Sequence, residues 1–367
     1  MTRWFVASLC TGLIITGCVN SVATKSQDNQ CVRDCDGPSP VLFNQPVLQT
    51  LQMFIGEMAL LVAFWFARGS ASATSANNSK QLLTGNKTTI LSLPAICDIL
   101  ATTLMNIALT MIPVSVYQMA RGALIIVVAI FSVVFLDHRI SRLEWSALAL
   151  VVLGVTVVGC SGQESSVDSE SFASFSLVGG ILLILLAQVF MATQFVFEEH
   201  IMHRWDVIPL QLVGFEGFFG ALVTLLLFVI GHGISGHKNP NSYFNLNQAF
   251  TDMFSNDSVL YSSVVIMMSI ACFNYFGTSI TKHLNATSRS TVDTCRTLMV
   301  WCVSLSLGWE KFNAVQLCGF ILLVMGTLIF NGAIEIPDGY MPKFLLDDRK
   351  QGYTRIVDSV DEEIERF

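Results

Sequence analysis

Long apolar runs dominate this chain and alternate with short polar connections. A helix that crosses a bilayer needs about 20 mostly apolar residues. Ten runs come close to that length or exceed it, and they cover residues 3–23, 44–67, 91–112, 114–136, 143–160, 175–199, 207–231, 258–281, 286–308 and 313–334. The pattern therefore predicts an all-α polytopic membrane protein with ten transmembrane helices.

The composition excludes several other classes of protein. Of the 367 residues 53% are hydrophobic and only 13% are charged, whereas soluble domains carry roughly 25% charged residues. Without a basic patch there is no reason to expect nucleic acid as a partner. The chain also lacks the His-Glu-x-x-His, Gly-x-Ser-x-Gly and phosphate-loop motifs, which argues against an enzyme. The acidic and histidine residues of segment 198–206 lack the ordered spacing of a zinc site, so we expect no metal and no cofactor.

A weak internal repeat divides the chain into halves. A shift of 172 residues aligns segment 113–159 with segment 285–331 without a gap. The shift superposes Ser132 on Ser304, Arg139 on Lys311 and Gly154 on Gly326. Helices four and five thereby fall on helices nine and ten.

A repeat unit of five spans must enter the membrane from the opposite side in its second copy. Inverted repeats of this kind are frequent in secondary transporters. We therefore expect a first five-helix repeat over residues 1–160, a second over residues 161–334, and a tail over residues 335–367.

The distribution of basic residues predicts the orientation. With a cytosolic N-terminus the outer loops hold four basic residues, and the inner loops hold eight, namely Arg68, Lys80, Lys87, Arg139, Arg142, Arg204, Lys282 and Arg289. Because Lys and Arg accumulate on the cytoplasmic side, both termini are predicted to be cytosolic. Cys31 and Cys35 then lie in an outer polar loop. An oxidising lumen would allow them to form a disulfide, and the alternative is two free thiols.

Charged residues inside the apolar runs are the informative exceptions. They are Glu57, Asp98, Arg121, Glu216, Asp293 and Arg296, with Glu198 and Glu199 near a helix end. Each such charge costs about 2.5–3.5 kcal/mol at mid-span, so it normally faces a cavity or a partner. Two interpretations stay open, namely structural ion pairs between helices and a site for a substrate or a coupling ion.

Polar residues at helical spacing favour a shared interior. Asp98, Thr102 and Asn106 lie on one face of helix three, and Arg296 is close enough to pair with Asp293 on helix nine. The candidate substrate- or ion-binding residues are Glu57, Asp98, Asn106, Gln118, Arg121, Gln194, Glu216, Asn274, Asp293 and Arg296. Three glycines on helix seven, Gly214, Gly217 and Gly220, indicate close helix packing or a mobile gate.

Several short motifs follow one another in order from about residue 12 to residue 334. They are Thr16–Ser21, Gln45-Pro46, Met53–Glu57, Pro94–Asp98, Gln118–Gly122, Glu198-Glu199, Val213–Gly217, Arg296-Thr297 and Leu307–Glu310. Together these motifs resemble solute carrier family 35, F subfamily. The resemblance implies the drug/metabolite transporter superfamily, with ten helices in two inverted repeats around a central cavity, and kinship with nucleotide-sugar transporters. It also implies a lysosomal or other endomembrane location.

The expected function is that of a secondary active transporter. It would move a small organic solute of unknown identity by alternating access, with protons as a candidate coupling ion. The alternative is a multi-pass receptor or adaptor that moves no solute. Membrane lipid is an expected partner, and a homodimer is a further assembly to consider.

The tail carries a candidate sorting motif at Gly352–Ile356, in which Tyr353 and Ile356 would fill pockets on a cytosolic adaptor. With the family resemblance it favours lysosomal or endosomal membranes, ahead of the Golgi.

The repeat also suggests a mechanism. The 172-residue shift places Arg121 on Asp293, so these residues could pair, or share an ionic substrate, in one access state. The excess of intramembrane acids favours cationic or zwitterionic solutes. Burial favours the neutral form of a carboxyl group, and Asp98 is the first candidate for proton coupling. The alternative is that Asp98 only anchors helix three.

Overall fold

The computed structural model describes residues 3–35, 41–71, 89–109, 122–136, 138, 140–161, 172–205, 207–236, 243–308, 312–331 and 333–334. Within them the chain forms helices almost throughout. The helices are α1 (Arg3–Asp28), α2 (Pro46–Ala71), α3 (Ser92–Leu109), α4 (Leu124–Leu136), α5 (Arg142–Ser161), α6 (Phe172–Arg204), α7 (Pro209–Gly231), α8 (Leu246–Ser255), α9 (Asp257–His283), α10 (Ala286–Ser306) and α11 (Ala314–Phe330).

Each of the ten apolar runs overlaps one of these helices. Five of the described helices, α1, α2, α6, α7 and α9, are long and apolar enough to cross a membrane. Shorter apolar helical segments cover Thr89–Met105, Leu124–Leu136 and Ala314–Phe330. Large apolar side chains lie on the outside of the bundle, for example Leu226 and Val229 on α7, which are both 54% exposed. The chain is therefore a helical integral membrane protein.

The connection between α7 and α9 is partly helical. Segment 232–257 contains a single π-helical turn at His232–Gly236 and the short helix α8. Asn245 caps α8 by accepting a hydrogen bond from the Gln248 backbone amide at 3.2 Å. The helix was missed because it is short and amphipathic, with Ala249 and Met253 buried against α2 and α7 residues.

Local signals set several helix ends. Pro209 stands at the first turn of α7, where its missing amide costs no hydrogen bond. Asn285 begins α10, and its side chain accepts from the Ser288 amide at 2.6 Å. Ser141 and Glu144 form a reciprocal capping box at the start of α5.

The helices associate in a small number of close pairs. The most extensive contacts join α5 to α11, α2 to α7, α1 to α9, and α3 to α6. At the α2–α7 crossing a Cβ on Gly217 would collide with the Met58 backbone nitrogen. Gly214 and Gly220 likewise meet Leu61 and Phe54 of α2. The glycine stripe of helix seven thus allows close helix packing.

A small cap covers the end of the bundle where α1 ends and α2 begins. Strand β1 (Cys31–Arg33) pairs antiparallel with β2 (Val41–Leu42). Cys31 and Cys35 form a disulfide. Arg33 Nε lies 3.3 Å from Asp252 Oδ1 of α8, so the hairpin and α8 hold each other in place.

Candidate functional site

The centre of the site is an ion pair between two buried helices. Glu198 of α6 is fully buried and Arg289 of α10 is 3% exposed, and their carboxylate and guanidinium groups are in direct contact. The guanidinium carbon lies 4.1 Å from the centre of the Phe195 ring, a distance that suits a cation–π interaction. A Cβ on Gly277 of α9 would lie 2.7 Å from Arg289 Nε. That glycine therefore makes the space for the arginine.

Helix α9 connects this ion pair to α2. Asn274 Nδ2 donates to Glu57 Oε1 at 2.6 Å, and Asn274 Oδ1 accepts from Arg289 Nη2 at 3.5 Å. One turn later, Thr278 donates to Glu198 Oε2 at 3.4 Å. Polar groups on one face of α9 thus join α2, α6 and α10.

Two further carboxyl groups approach the same place. Glu216 of α7 is 5% exposed, and Asp98 of α3 is half-buried. Glu57, Asp98 and Glu216 each interact electrostatically with Glu198 and Arg289. Four carboxyl groups from four helices therefore face one guanidinium. We call these residues the acidic cluster: Glu57, Asp98, Glu198, Glu216 and Arg289.

The acidic cluster contains acceptors without donors. Within the described part of the chain, Glu198 Oε1 and Glu216 Oε1 are buried and accept no hydrogen bond. The same holds for the side-chain oxygen of Gln194, which precedes Glu198 by one turn of α6. Buried polar groups in proteins are normally hydrogen-bonded. Among the described residues, the cluster is therefore short of hydrogen-bond donors and of positive charge.

The structure also brings Asp293 and Arg296 together. Arg296 Nε lies 3.0 Å from Asp293 Oδ1 within α10. The Arg296 guanidinium lies 5.1 Å from the Phe273 ring of α9 and 3.4 Å from the Ser21 hydroxyl of α1. The two residues thus form an ion pair within α10, and its arginine contacts α1 and α9.

The remaining predicted residues either bond to their own helix or lie outside the described part of the chain. Thr102 turns its hydroxyl back to the Asp98 carbonyl oxygen at 2.8 Å, so in this state its hydroxyl is bonded to its own helix. The side chain of Asn106, and all of Gln118, Arg121, Tyr353 and Ile356, lie outside the described residues.

The prediction that places Arg289 in an inner loop is wrong. It was counted among the cations of the inner loops, but it lies in the first turn of α10 and is almost completely buried. The reason is the Asn285 cap, which starts the helix four residues earlier and directs the arginine toward α6 and α9. The Asn285 cap is a sequence signal that Arg289 lies in a helix, but it does not indicate that the side chain is buried.

A second set of polar residues, around Glu199, lies next to the site and is not among the predicted site residues. The Glu199 carboxylate is fully buried and accepts from the Ala286 amide at 2.7 Å, at the start of α10. His138 Nε2 and His203 Nε2 lie 3.4 Å and 3.7 Å from its other oxygen. Glu198 and Glu199 thus bind the first turn of α10 from two sides.

Comparisons with known proteins agree with this architecture. A family model described as nucleotide-sugar transporter matches residues 45–232, and one described as EamA-like transporter family matches residues 178–332. A crystal structure superposes with a TM-score of 0.64 over 90% of this chain and 99% of its own, at 13% identity. At that identity the likeness establishes the fold alone.

Relatives with known names identify the family. Solute carrier family 35 member F6 of Mus musculus is 37% identical over 333 residues, which cover 89% of this chain and 88% of the relative. The UDP-N-acetylglucosamine transporter of Canis lupus familiaris is 26% identical over 41% of this chain and 46% of its own. The fold and these matches define a solute transporter of the drug/metabolite transporter superfamily. Within it, the chain belongs to solute carrier family 35, F subfamily.

Proposed function

We propose that this protein is a secondary active transporter that moves a small organic solute across an endomembrane by alternating access. The acidic cluster is the observation that carries the proposal. Charged groups inside a membrane are costly and normally face a substrate path or a partner. Here Glu57 and Asp98 come from the first half of the chain, whereas Glu198, Glu216 and Arg289 come from the second. A solute bound there would touch both halves.

The pairing of helices supports an inverted repeat of the two halves. The proposed repeat equates α1 with α6, α2 with α7, α3 with α9, α4 with α10 and α5 with α11. Exchanging the halves converts the α1–α9 contact into the α6–α3 contact, and it leaves the α2–α7 and α5–α11 contacts unchanged. It likewise converts α2–α9 into α7–α3, and α1–α10 into α6–α4. Such exchange is what a pseudo-two-fold axis in the membrane plane produces.

Close backbone contacts support the same repeat at the level of single residues. A Cβ on Gly154 of α5 would lie 2.7 Å from the carbonyl oxygen of Gly319 on α11. A Cβ on Gly326 of α11 would lie 2.9 Å from the carbonyl oxygen of Ala147 on α5. The 172-residue shift turns the first contact into the second.

Alternating access would then exchange the environments of the two halves around the acidic cluster. Contacts between α6 and α10 hold one side of the bundle together in this state. They include the Glu198–Arg289 ion pair and the hydrogen bond from the Ala286 amide to Glu199. We propose that opening that side separates α6 from α10. The pair of Arg121 with Asp293 remains part of the proposal for the other access state.

Proton coupling is proposed for Asp98. It is the half-buried acid of the cluster, and the neutral form of a carboxyl group is favoured by burial. Proton-driven uptake by wild type and Asp98→Asn at matched protein levels tests this role. A full response of a normally folded Asp98→Asn variant to the pH gradient would exclude Asp98 as the coupling residue.

We further propose that both termini are cytosolic and that the protein resides in lysosomal or endosomal membranes, with the Golgi as the second location. The excess of Lys and Arg in the inner loops and tail and the sorting motif at Tyr353 and Ile356 support these proposals.

The proposed function is tested by uptake into liposomes that contain the purified full-length chain. A metabolite panel of cationic, zwitterionic, neutral and nucleotide-sugar solutes is offered with and without a pH gradient. Transport predicts time-dependent accumulation of at least one solute above that in empty liposomes. Specific binding without accumulation of any solute would instead favour the receptor or adaptor function.

A further inference from the structure

The acidic cluster has a specific chemical deficit. Its four carboxyl groups come from α2, α3, α6 and α7, and its one guanidinium comes from α10. The residues of α9 that face it, Asn274 and Thr278, are neutral. Neighbouring carboxylates that share a site cannot all be ionised without a counter-charge.

Both terminal nitrogens of Arg289 already have partners. They contact Glu198 and Asn274, and one face of the guanidinium lies on the Phe195 ring. An anionic ligand that displaced Glu198 from the arginine would leave the Glu198 carboxylate without its counter-charge inside the bundle, which is strongly unfavourable.

Several hydrogen-bond acceptors of the cluster, by contrast, have no donor. The oxygens without donors belong to Gln194, Glu198 and Glu216, whose side chains are all more than nine-tenths buried. A ligand with positive charge and several hydrogen-bond donors would complete these contacts. A protonated amine has both, because an ammonium group presents up to three N–H donors and no acceptor.

From this geometry we infer that the acidic cluster binds the protonated amine of an organic cation, with Glu216 and Glu198 as its main acceptors. The inference rests on the proposed function, since it names the substrate class of that transporter. Primary ammonium ions would bind better than quaternary ones, which have no N–H donor. Carboxylates of equal length would not bind at this site.

Binding is measured on the full-length protein in detergent micelles. Primary alkylammonium ions from propyl to hexyl are compared with alkyl carboxylates of the same length and with tetramethylammonium. A ligand that binds only the folded state raises the midpoint of thermal unfolding. We expect a concentration-dependent rise with the alkylammonium ions and none with the carboxylates. Equal rises with both series, or no rise with any alkylammonium ion, would overturn the inference.

Two matched variants locate the binding. Glu216→Gln removes one charge and should weaken alkylammonium binding by about tenfold or more, which corresponds to roughly 1.4 kcal/mol. Glu144→Gln makes the same chemical change in the capping box of α5, which glutamine also supports, and binding should stay within about twofold of wild type. Equal binding by both variants would place the cation elsewhere.

The outcome can be separated from that of the proposed function. Accumulation of a neutral or anionic solute in liposomes, without alkylammonium binding, would support the transporter function but exclude organic cations as its substrate class. Alkylammonium binding without accumulation of any cation would support the cation-binding site but exclude the transporter function.

Discussion

Glu198 on α6 and Arg289 on α10 form an ion pair in which the carboxylate is fully buried and the arginine is 3% exposed. Removal of one partner from a buried pair leaves an uncompensated charge, which typically costs about 3–5 kcal/mol. The pair therefore joins two distant parts of the sequence strongly, although its net contribution relative to an apolar pair can be small.

We expect Glu198→Gln to destabilise the folded protein by about 3 kcal/mol or more, because Arg289 would remain buried and charged. The double variant Glu198→Gln with Arg289→Gln should recover a large part of that loss, since both charges are gone. Thermal unfolding in detergent measures both effects. If the double variant were as unstable as the sum of the two single variants, the two side chains would not be coupled.

The close crossing of α5 and α11 gives a second prediction. Gly154→Ala places a Cβ 2.6 Å from the Leu323 nitrogen and 2.7 Å from the Gly319 oxygen. Both neighbours are backbone atoms, so the helices must separate, and we expect a loss of about 1–3 kcal/mol.

Gly233→Ala is the matched control, because a Cβ there meets no atom within 4 Å. It should leave the unfolding midpoint almost unchanged. Equal midpoints for wild type and Gly154→Ala would show that α5 and α11 do not cross this closely.

Much of the fold could be predicted from the sequence, because burial in a membrane leaves a strong one-dimensional signal. The apolar runs located every long helix. The polar residues inside those runs included four that lie in or beside the acidic cluster, namely Glu57, Glu216, Gln194 and Asn274. Arg289 was misplaced because a cation four residues after a cap has the same sequence pattern whether it faces water or a carboxylate. The difference depends on Glu198, which is far away in the sequence and close only in the fold, and on Gly277 of the preceding helix.

The Cys31–Cys35 disulfide provides a test of orientation. In sealed endomembrane vesicles with the lumen inside, a variant that keeps only these two cysteines should react with an impermeant maleimide only after reduction and permeabilisation. Ser359→Cys in the same background is the control, and this tail cysteine should react in sealed vesicles without reductant. Reaction of Cys31 or Cys35 in sealed vesicles would show that the topology is the inverse of the proposed one.

The tail offers a matched pair for the proposed location. Tyr353 is followed three residues later by Ile356, whereas Tyr340 also follows a glycine but has Lys343 at the equivalent position. We expect Tyr353→Ala to move the protein from endolysosomal membranes toward the cell surface and Tyr340→Ala to leave it in place. Fluorescence microscopy with surface labelling measures both. An unchanged distribution of Tyr353→Ala would remove the support that this motif gives to the location.

The central claim is that solute crosses the membrane through the acidic cluster, and one uptake experiment addresses it directly. Liposomes are prepared with equal amounts of folded wild type, Glu57→Gln and Glu144→Gln. Glutamine at position 57 keeps an oxygen that can accept from Asn274 Nδ2, so the variant loses a charge while its contact is preserved. We predict accumulation of the transported solute by wild type and Glu144→Gln, and at least about a tenfold lower rate for Glu57→Gln. Equal rates for all three proteins would contradict the account.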